Sequence, residues 1–237
     1  MLPVRAVPFV DRWDAGRQLA ERLTHLRGQD VVVLGLPRGG VPVAFQVARS
    51  LRAPLDVIVV RKLGVPSRPE LAMGAVGEGN VLVLNDRIVR VTGLDRAGLA
   101  AVVDRERAEL ARRARRFRGD RQRVSLAGRT ALLVDDGIAT GATARAACAV
   151  ARAQRAARIV LATPVCSPDA ARSLRTEVDE LVVLETPRDF YAVGQVYADF
   201  RATEDEDVLE LLRRSASSAT QQAAGATTPS ADAPARD

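Results

Sequence analysis

The chain has 237 residues, 47% hydrophobic and 27% charged, which is enough apolar material for a sizeable core and argues against disorder throughout. No apolar run reaches the roughly 20 residues that span a bilayer, and the first residues lack a secretory pattern, so a cytoplasmic location is expected. Two cysteines and one histidine argue against a disulfide framework and a Cys/His zinc centre, and the net charge of +6, carried almost wholly by arginine, fits either nucleic acid or anionic small molecules.

In chain order, Trp13, Leu19, Leu23 and Leu26 have the spacing of a helix, with Asp11 or Asp14 as its cap and Gly28 as its stop. Val31–Leu34 is a short β-branched run of the kind found in buried parallel strands. Pro37-Arg38-Gly39-Gly40 forms the turn after it, and Val43, Val47 and Leu51 mark the face of a second helix. Asp56–Val60 reads as the next strand, with Arg61-Lys62 at its carboxyl end. Residues 63–80, rich in Gly and Pro, read as a long loop or loose hairpin, and Val81–Leu84 as a further strand. The longest helical pattern runs from about Leu94 to Phe117, with Leu99, Val103, Leu110, Ala114 and Phe117 as its apolar stripe.

Ala131–Val134 is another strand, followed at once by Asp135-Asp136-Gly137-Ile138-Ala139-Thr140-Gly141-Ala142-Thr143 and a helix of small residues to about Gln154. Ile159–Ala162 and Leu181–Leu184 are two more strands, with a short helix near 168–176 between them. This alternation predicts an α/β fold, an open and mainly parallel sheet flanked by helices, with right-handed crossovers. Thr203-x-x-Glu206 has capping-box spacing ahead of a last helix anchored by Val208, Leu211 and Leu212. We therefore expect one domain over 1–214, with a helical insertion around 94–118 and a C-terminal lobe around 186–214; residues 215–237, poor in large apolar side chains, read as a disordered tail.

The strongest chemical signal is 131–143. A buried strand ends in two carboxylates, a turn containing Gly137 and Gly141 follows, and then come the hydroxyls of Thr140 and Thr143 at a helix start, where amides and the helix dipole favour an anion. The carboxylates would repel a bare phosphate and suit a polyol or divalent cation, so the stretch reads as a sugar-phosphate binder: hydroxyls on Asp135 and Asp136, phosphate on Ala139, Thr140, Gly141, Ala142 and Thr143. It is neither a Walker A loop nor the dinucleotide fingerprint. The alternative is a polar strand end followed by a helix cap. Arg38-Gly39-Gly40 and Arg61-Lys62, at two other strand ends, offer cations and exposed amides for a second, more highly charged phosphate; the alternatives are a surface turn and a solvated strand end.

The stretch Val134–Thr143 resembles the phosphoribosyl pyrophosphate signature of type I phosphoribosyltransferases, and the resemblance covers roughly residues 10–213. It implies that Asp135 and Asp136 hold the ribose hydroxyls, that Ala139–Thr143 wraps the 5′-phosphate, and that Mg²⁺ bridges pyrophosphate and ribose oxygens, with any contact to Asp135 or Asp136 made through hydroxyls or water. Pro37–Gly40 resembles the family's pyrophosphate loop, often held by a non-proline cis peptide, and Arg61-Lys62 its basic pair. Implied as well are phosphoribosyl pyrophosphate and a nitrogenous base as substrates, and a homodimer. Ala139 stands where enzymes for 6-oxopurines usually have Asp, which argues against such bases, and Gly137 replaces a more usual apolar residue. Pro69–Gly79, which includes Glu70 and Glu78, resembles an uncharacterised bacterial branch and occupies the place of the mobile catalytic loop; the two carboxylates read as metal or substrate contacts or as ordinary loop residues.

Two other functions stay open: a non-catalytic sensor of the donor that binds nucleic acid, to which the arginines of 94–118 would contribute, and a sugar-phosphate hydrolase. The interleaved Asp104, Glu106 and Glu109 favour a solvated or dimer-forming face for that helix. The aromatic cluster Phe190–Tyr197 reads as packing or as a cover over a base; Cys148 reads as a buried, inert thiol, and Cys166 follows a strand towards the crevice.

Overall fold

The computed structural model describes residues 7–66, 68–119 and 121–225, without the side chains of 68–71 and 218–225. Five parallel strands, β1 (Val31–Gly35), β2 (Leu55–Val57), β6 (Thr130–Val134), β7 (Arg158–Val165) and β8 (Glu180–Glu185), form a sheet in the order β2-β1-β6-β7-β8. Alternation along each strand separates the two faces. Val31, Val33, Leu132 and Val134 pack with helices α1 (Arg12–Arg22), α2 (Gly40–Leu51) and α7 (Asp205–Gly225). Val32, Leu34, Ala131 and Leu133 pack with α5 (Ala142–Ala153) and α6 (Pro168–Leu174).

Connections from β1 run to one side, through α2 to β2, and those from β6 to the other, through α5 to β7. The β1–β6 boundary is thus the topological switch point, where open α/β sheets leave a crevice beyond the strand ends. Gly35 lies beside Val134 in the register, which brings the turn after β1 against the turn after β6.

A second, antiparallel sheet takes up the stretch read as a long loop or a loose hairpin, and the hairpin reading holds. The strand predicted over 56–60 ends at Val57, and β3 (Val60–Val65) begins a different sheet with β4 (Arg68–Gly77) and β5 (Val81–Leu84). The Gly-rich stretch 63–80 is therefore mostly strand. Its glycines mark close approaches: a Cβ on Gly74 would strike the Val83 carbonyl, and one on Gly77 would strike Val150 of α5. Leu63, Val65, Met73 and Val76 are buried in the same core as Val103, Leu110 and Phe117 of α4 (Arg96–Arg118). A short helix, α3 (Asp86–Thr92), capped by Asn85, had no clear periodic signal.

Buried ions fasten this sheet to the first. Arg118, at the end of α4, donates to both oxygens of Asp56 on β2 at 2.6 and 2.7 Å, to the Val57 carbonyl, and to both oxygens of Glu78 at 2.5 and 2.9 Å. Burial opposes its charge, but the Glu78 hydrogen bond and the Asp56 charge outweigh that and raise the guanidinium above its ordinary pKa.

Helix ends differ in detail. Asp11 caps α1, which stops at Arg22 before a 3₁₀ turn, ahead of Gly28. The expected Thr203/Glu206 capping pair is displaced by one residue, since the Asp207 carboxylate accepts from the Glu204 amide at 2.9 Å. Helix α7 continues to Gly225, so 215–225 is helical where a disordered tail was expected; 226–237 lie outside the described residues.

Candidate active site

The crevice collects three of the predicted elements. The first is the acidic pair after β6. Asp135 Oδ1 accepts from the Asp136 amide at 3.0 Å, and Asp136 Oδ2 accepts from Arg12 Nε at 2.7 Å. Tyr197 donates its hydroxyl to the Asp136 carbonyl at 2.6 Å, tying the C-terminal lobe to the pair. Burial and the adjacent Asp136 charge push the Asp135 carboxyl well above the usual carboxylate range. Burial, reinforced by the Asp136 charge, likewise pushes the Tyr197 phenol well up, so it stays a hydrogen-bond donor.

The second element is the turn after β1. The Pro37–Arg38 peptide is cis, and Gly39 and Gly40 lie directly on the acidic pair. A Cβ on Gly39 would overlap the Asp136 carboxylate; one on Gly40 would lie 2.6 Å from the Val134 carbonyl oxygen. Two glycines in succession are thus a steric requirement of the crevice. Arg38 itself is exposed, and its Nη1 donates to Glu204 at 3.0 Å.

The third is the 139–143 loop. Gly141 adopts φ 76°, α5 begins at Ala142, and Ala139, Thr140 and Thr143 are exposed. Thr140 Oγ1 accepts from the Ala142 amide at 3.4 Å. Among the described residues the amides of Ala139, Thr140 and Gly141 have no protein partner, which leaves a row of donors at the positive end of α5.

Arg61 and Lys62 are placed differently from expectation. They lie in β3 of the antiparallel sheet, not at the carboxyl end of a parallel strand, because the chain leaves the first sheet after Val57. Arg61 is held by Glu106 of α4 at 2.8–2.9 Å, while Lys62 is exposed. Glu78 is engaged by Arg118, and the Glu70 side chain lies outside the described residues. Gly137, unusual at its position, accommodates Val193, which a Cβ would overlap.

Arg12 is the principal residue that sequence reasoning missed. Besides Asp136, it donates to the Arg201 carbonyl at 2.7 Å and lies over the Phe200 ring, 3.9 Å from its centroid. It sits 124 positions from Asp136 in the sequence, and no local pattern links the two. A cleft of about 540 Å³ opens beside it, lined among others by Trp13, Pro42, Arg201, Thr203 and Leu211. Within the aromatic cluster, Tyr197 packs with Phe9 and Phe200, whereas Tyr191 is exposed. Cys166, which follows a strand towards the crevice, has a buried side chain, and its backbone bridges to Ile138 of the 135–143 stretch.

Among the described residues no group of three ligating side chains could cage a metal ion, and no helix is long and apolar enough to cross a membrane.

Comparison with known proteins finds relatives over most of the chain. Two curated relatives from strains of Mycobacterium tuberculosis, provisionally named phosphoribosyl transferases, are each 57% identical over 97% of the chain. The chain spans about half (51%) of their length. The crystal structure of TT1426 from Thermus thermophilus is 47% identical and superposes with a TM-score of 0.79, covering 87% of this chain and 98% of that one. The phosphoribosyl transferase domain model matches residues 12–201, from the arginine that holds Asp136 to the residue whose carbonyl holds that arginine, and the chain belongs to that family.

Proposed function

We propose that the chain transfers the phosphoribosyl group of 5-phosphoribosyl 1-pyrophosphate to a nitrogenous acceptor and releases pyrophosphate. One observation carries this reading. The crevice presents, in order, a row of free amides at 139–141, a carboxylate pair at 135–136, and a glycine-rich turn at 37–40 pressed against that pair. The donor has the same order of groups: a phosphate, a vicinal diol and a pyrophosphate.

In this reading Asp135 and Asp136 accept hydrogen bonds from the ribose hydroxyls, and their negative charge favours the electron-poor ring that forms as the bond from C1 to pyrophosphate oxygen breaks. The leaving oxygen keeps the bonding pair, the acceptor nitrogen forms the new bond to C1, and the acceptor's proton passes to the released pyrophosphate or to water. Arg12 keeps one Asp136 oxygen committed, which orients the other. Arg38 turns from Glu204 to the leaving pyrophosphate, and Lys62 is the cation of the Arg61-Lys62 pair left to approach it.

Mg²⁺ fits this donor set. Asp135 and Asp136 would hold it as a hard ion with oxygen ligands, directly or through ribose hydroxyls and water. When bound, Mg²⁺ withdraws charge from the leaving group. On α4, Arg112 and Arg113 pair with Glu109, Arg116 with Asp205, and Arg118 with Asp56 and Glu78, which lowers the net positive charge that the helix offers to nucleic acid.

Calorimetry with phosphoribosyl pyrophosphate and Mg²⁺ tests the donor site. Asp136→Asn is expected to weaken binding at least about tenfold, the scale of a lost charge-assisted hydrogen bond. Unchanged binding would refute the assignment. Release of phosphate or pyrophosphate without any acceptor would favour the hydrolase instead.

A further inference from the structure

We infer that Arg145 and Ser167, neither of which lies in the 134–143 signature, are positioning residues that hold the 139–143 loop in its anion-receiving form. This rests on the donor reading above and names what makes the phosphate end of that site.

A loop that receives a phosphate on its amides must turn its carbonyl oxygens away, because they would repel the phosphate oxygens. Four successive carbonyls here are taken by protein donors. The Ser167 amide donates to the Ile138 carbonyl at 2.9 Å, the Ser167 hydroxyl to Ala139 at 2.6 Å, Arg145 Nη1 to Thr140 at 3.0 Å, and the Arg145 amide to Gly141 at 2.9 Å. Two residues thus bind four acceptors in a row, and the amides of Ala139, Thr140 and Gly141 are the groups left over. With the acceptors fixed, the donors are ordered before a ligand arrives, which removes an entropic cost from binding.

The brace is itself anchored. Arg145 Nε donates to Glu177 at 2.9 Å and Nη2 to the Ser173 hydroxyl at 2.7 Å, so each guanidinium nitrogen has a protein partner and its charge is answered by Glu177. It therefore acts through the loop and not as a direct phosphate ligand. Ser167 also caps α6, accepting from the Ala170 amide at 3.2 Å. A Cβ on Gly141 would come within 3.2 Å of Arg145 Nη1, so the brace fits closely against the glycine.

The test uses two probes that separate the ends of the site, ribose 5-phosphate for the 139–143 loop and Mg²⁺–pyrophosphate for the 37–40 turn. Arg145→Met keeps much of the length of the side chain and removes its donors. It should weaken ribose 5-phosphate binding about tenfold while pyrophosphate binding stays within about twofold. Arg145→Lys, which can still donate to Thr140, should recover part of the loss; Ser167→Ala removes the hydroxyl alone and carries the same test if Arg145→Met does not fold. Unchanged ribose 5-phosphate binding in both Arg145→Met and Ser167→Ala, or an equal fall for both probes, overturns the inference. Wild-type protein that binds pyrophosphate but not ribose 5-phosphate overturns the role of the loop alone; wild type that binds neither overturns the donor reading itself.

Discussion

At the carboxyl edge of the parallel sheet, the charged and glycine residues of the crevice follow directly on β1 and β6, and backbone register brings them together. In the antiparallel sheet the corresponding charges lie within or just after strands and are held by helix residues far along the chain: Arg61 by Glu106, and Glu78 by Arg118. The first arrangement sets the ligand groups by strand register, and side chains such as Arg12, Arg145 and Ser167 then fix their orientation. The second spends its charges on attachment, so that a β-sheet with few strands of its own stays fixed beside the site.

The sharpest way to break that contrast is at Arg118, whose side chain is 9% exposed. Arg118→Leu leaves Asp56 and Glu78 buried without their cation and should cost about 3–5 kcal/mol. Denaturant unfolding measures this; a loss below about 1 kcal/mol would mean that the antiparallel sheet is held by apolar packing alone. The matching break in the parallel half is Gly39→Ala. Its Cβ displaces Asp136, so donor binding should be lost at a stability cost of about 1–3 kcal/mol. Calorimetry and a melting curve together separate the two effects.

Asp135 sharpens the comparison from the side of charge. Its carboxyl is raised above the ordinary range, so the folded chain holds that proton more tightly than the unfolded chain, and stability falls as pH rises from the ordinary carboxylate range through the raised value. Asp135→Asn should therefore raise the melting temperature at neutral pH, by roughly 2–4 °C for each kcal/mol relieved. The advantage should vanish near pH 4, roughly the ordinary carboxylate value. An equal or lower melting temperature at neutral pH would contradict the cause assigned to the shift. Loss of donor binding in the same variant would show stability exchanged for function.

The smallest effect is expected at the thiols. Burial pushes Cys148 up to about 12 and Cys166 up to about 11, so both should resist thiol reagents at about pH 8 until the chain unfolds. Rapid labelling of either in native protein would show that the parallel half opens locally.

The same contrast explains what could be read from the sequence. Strands such as Val31–Gly35 and Thr130–Val134 are continuous apolar runs ending in functional turns, so both the sheet and the 135–143 stretch were visible. The antiparallel sheet was obscured because Gly64, Gly74 and Gly77 imitate loop composition, although Gly74 and Gly77 are close-approach points against Val83 and Val150. Arg61-Lys62 was read from its neighbours Asp56–Val60 as a strand end, and no local feature announces the change of sheet after Val57. Arg12, Arg145 and Ser167 act through hydrogen bonds to scattered partners, among them Asp136, Thr140 and Ala139, which leave no periodic trace.

Trp13 is the only tryptophan in the chain. It follows directly on Arg12, meets Phe45 edge-on at 5.7 Å between ring centroids, and lines the cleft beside the guanidinium that grips Asp136. Its indole is therefore a built-in reporter. A ligand that enters this cleft changes the dielectric surroundings of a single chromophore, so its occupancy can be followed by unlabelled emission, with no background from a second tryptophan in the chain.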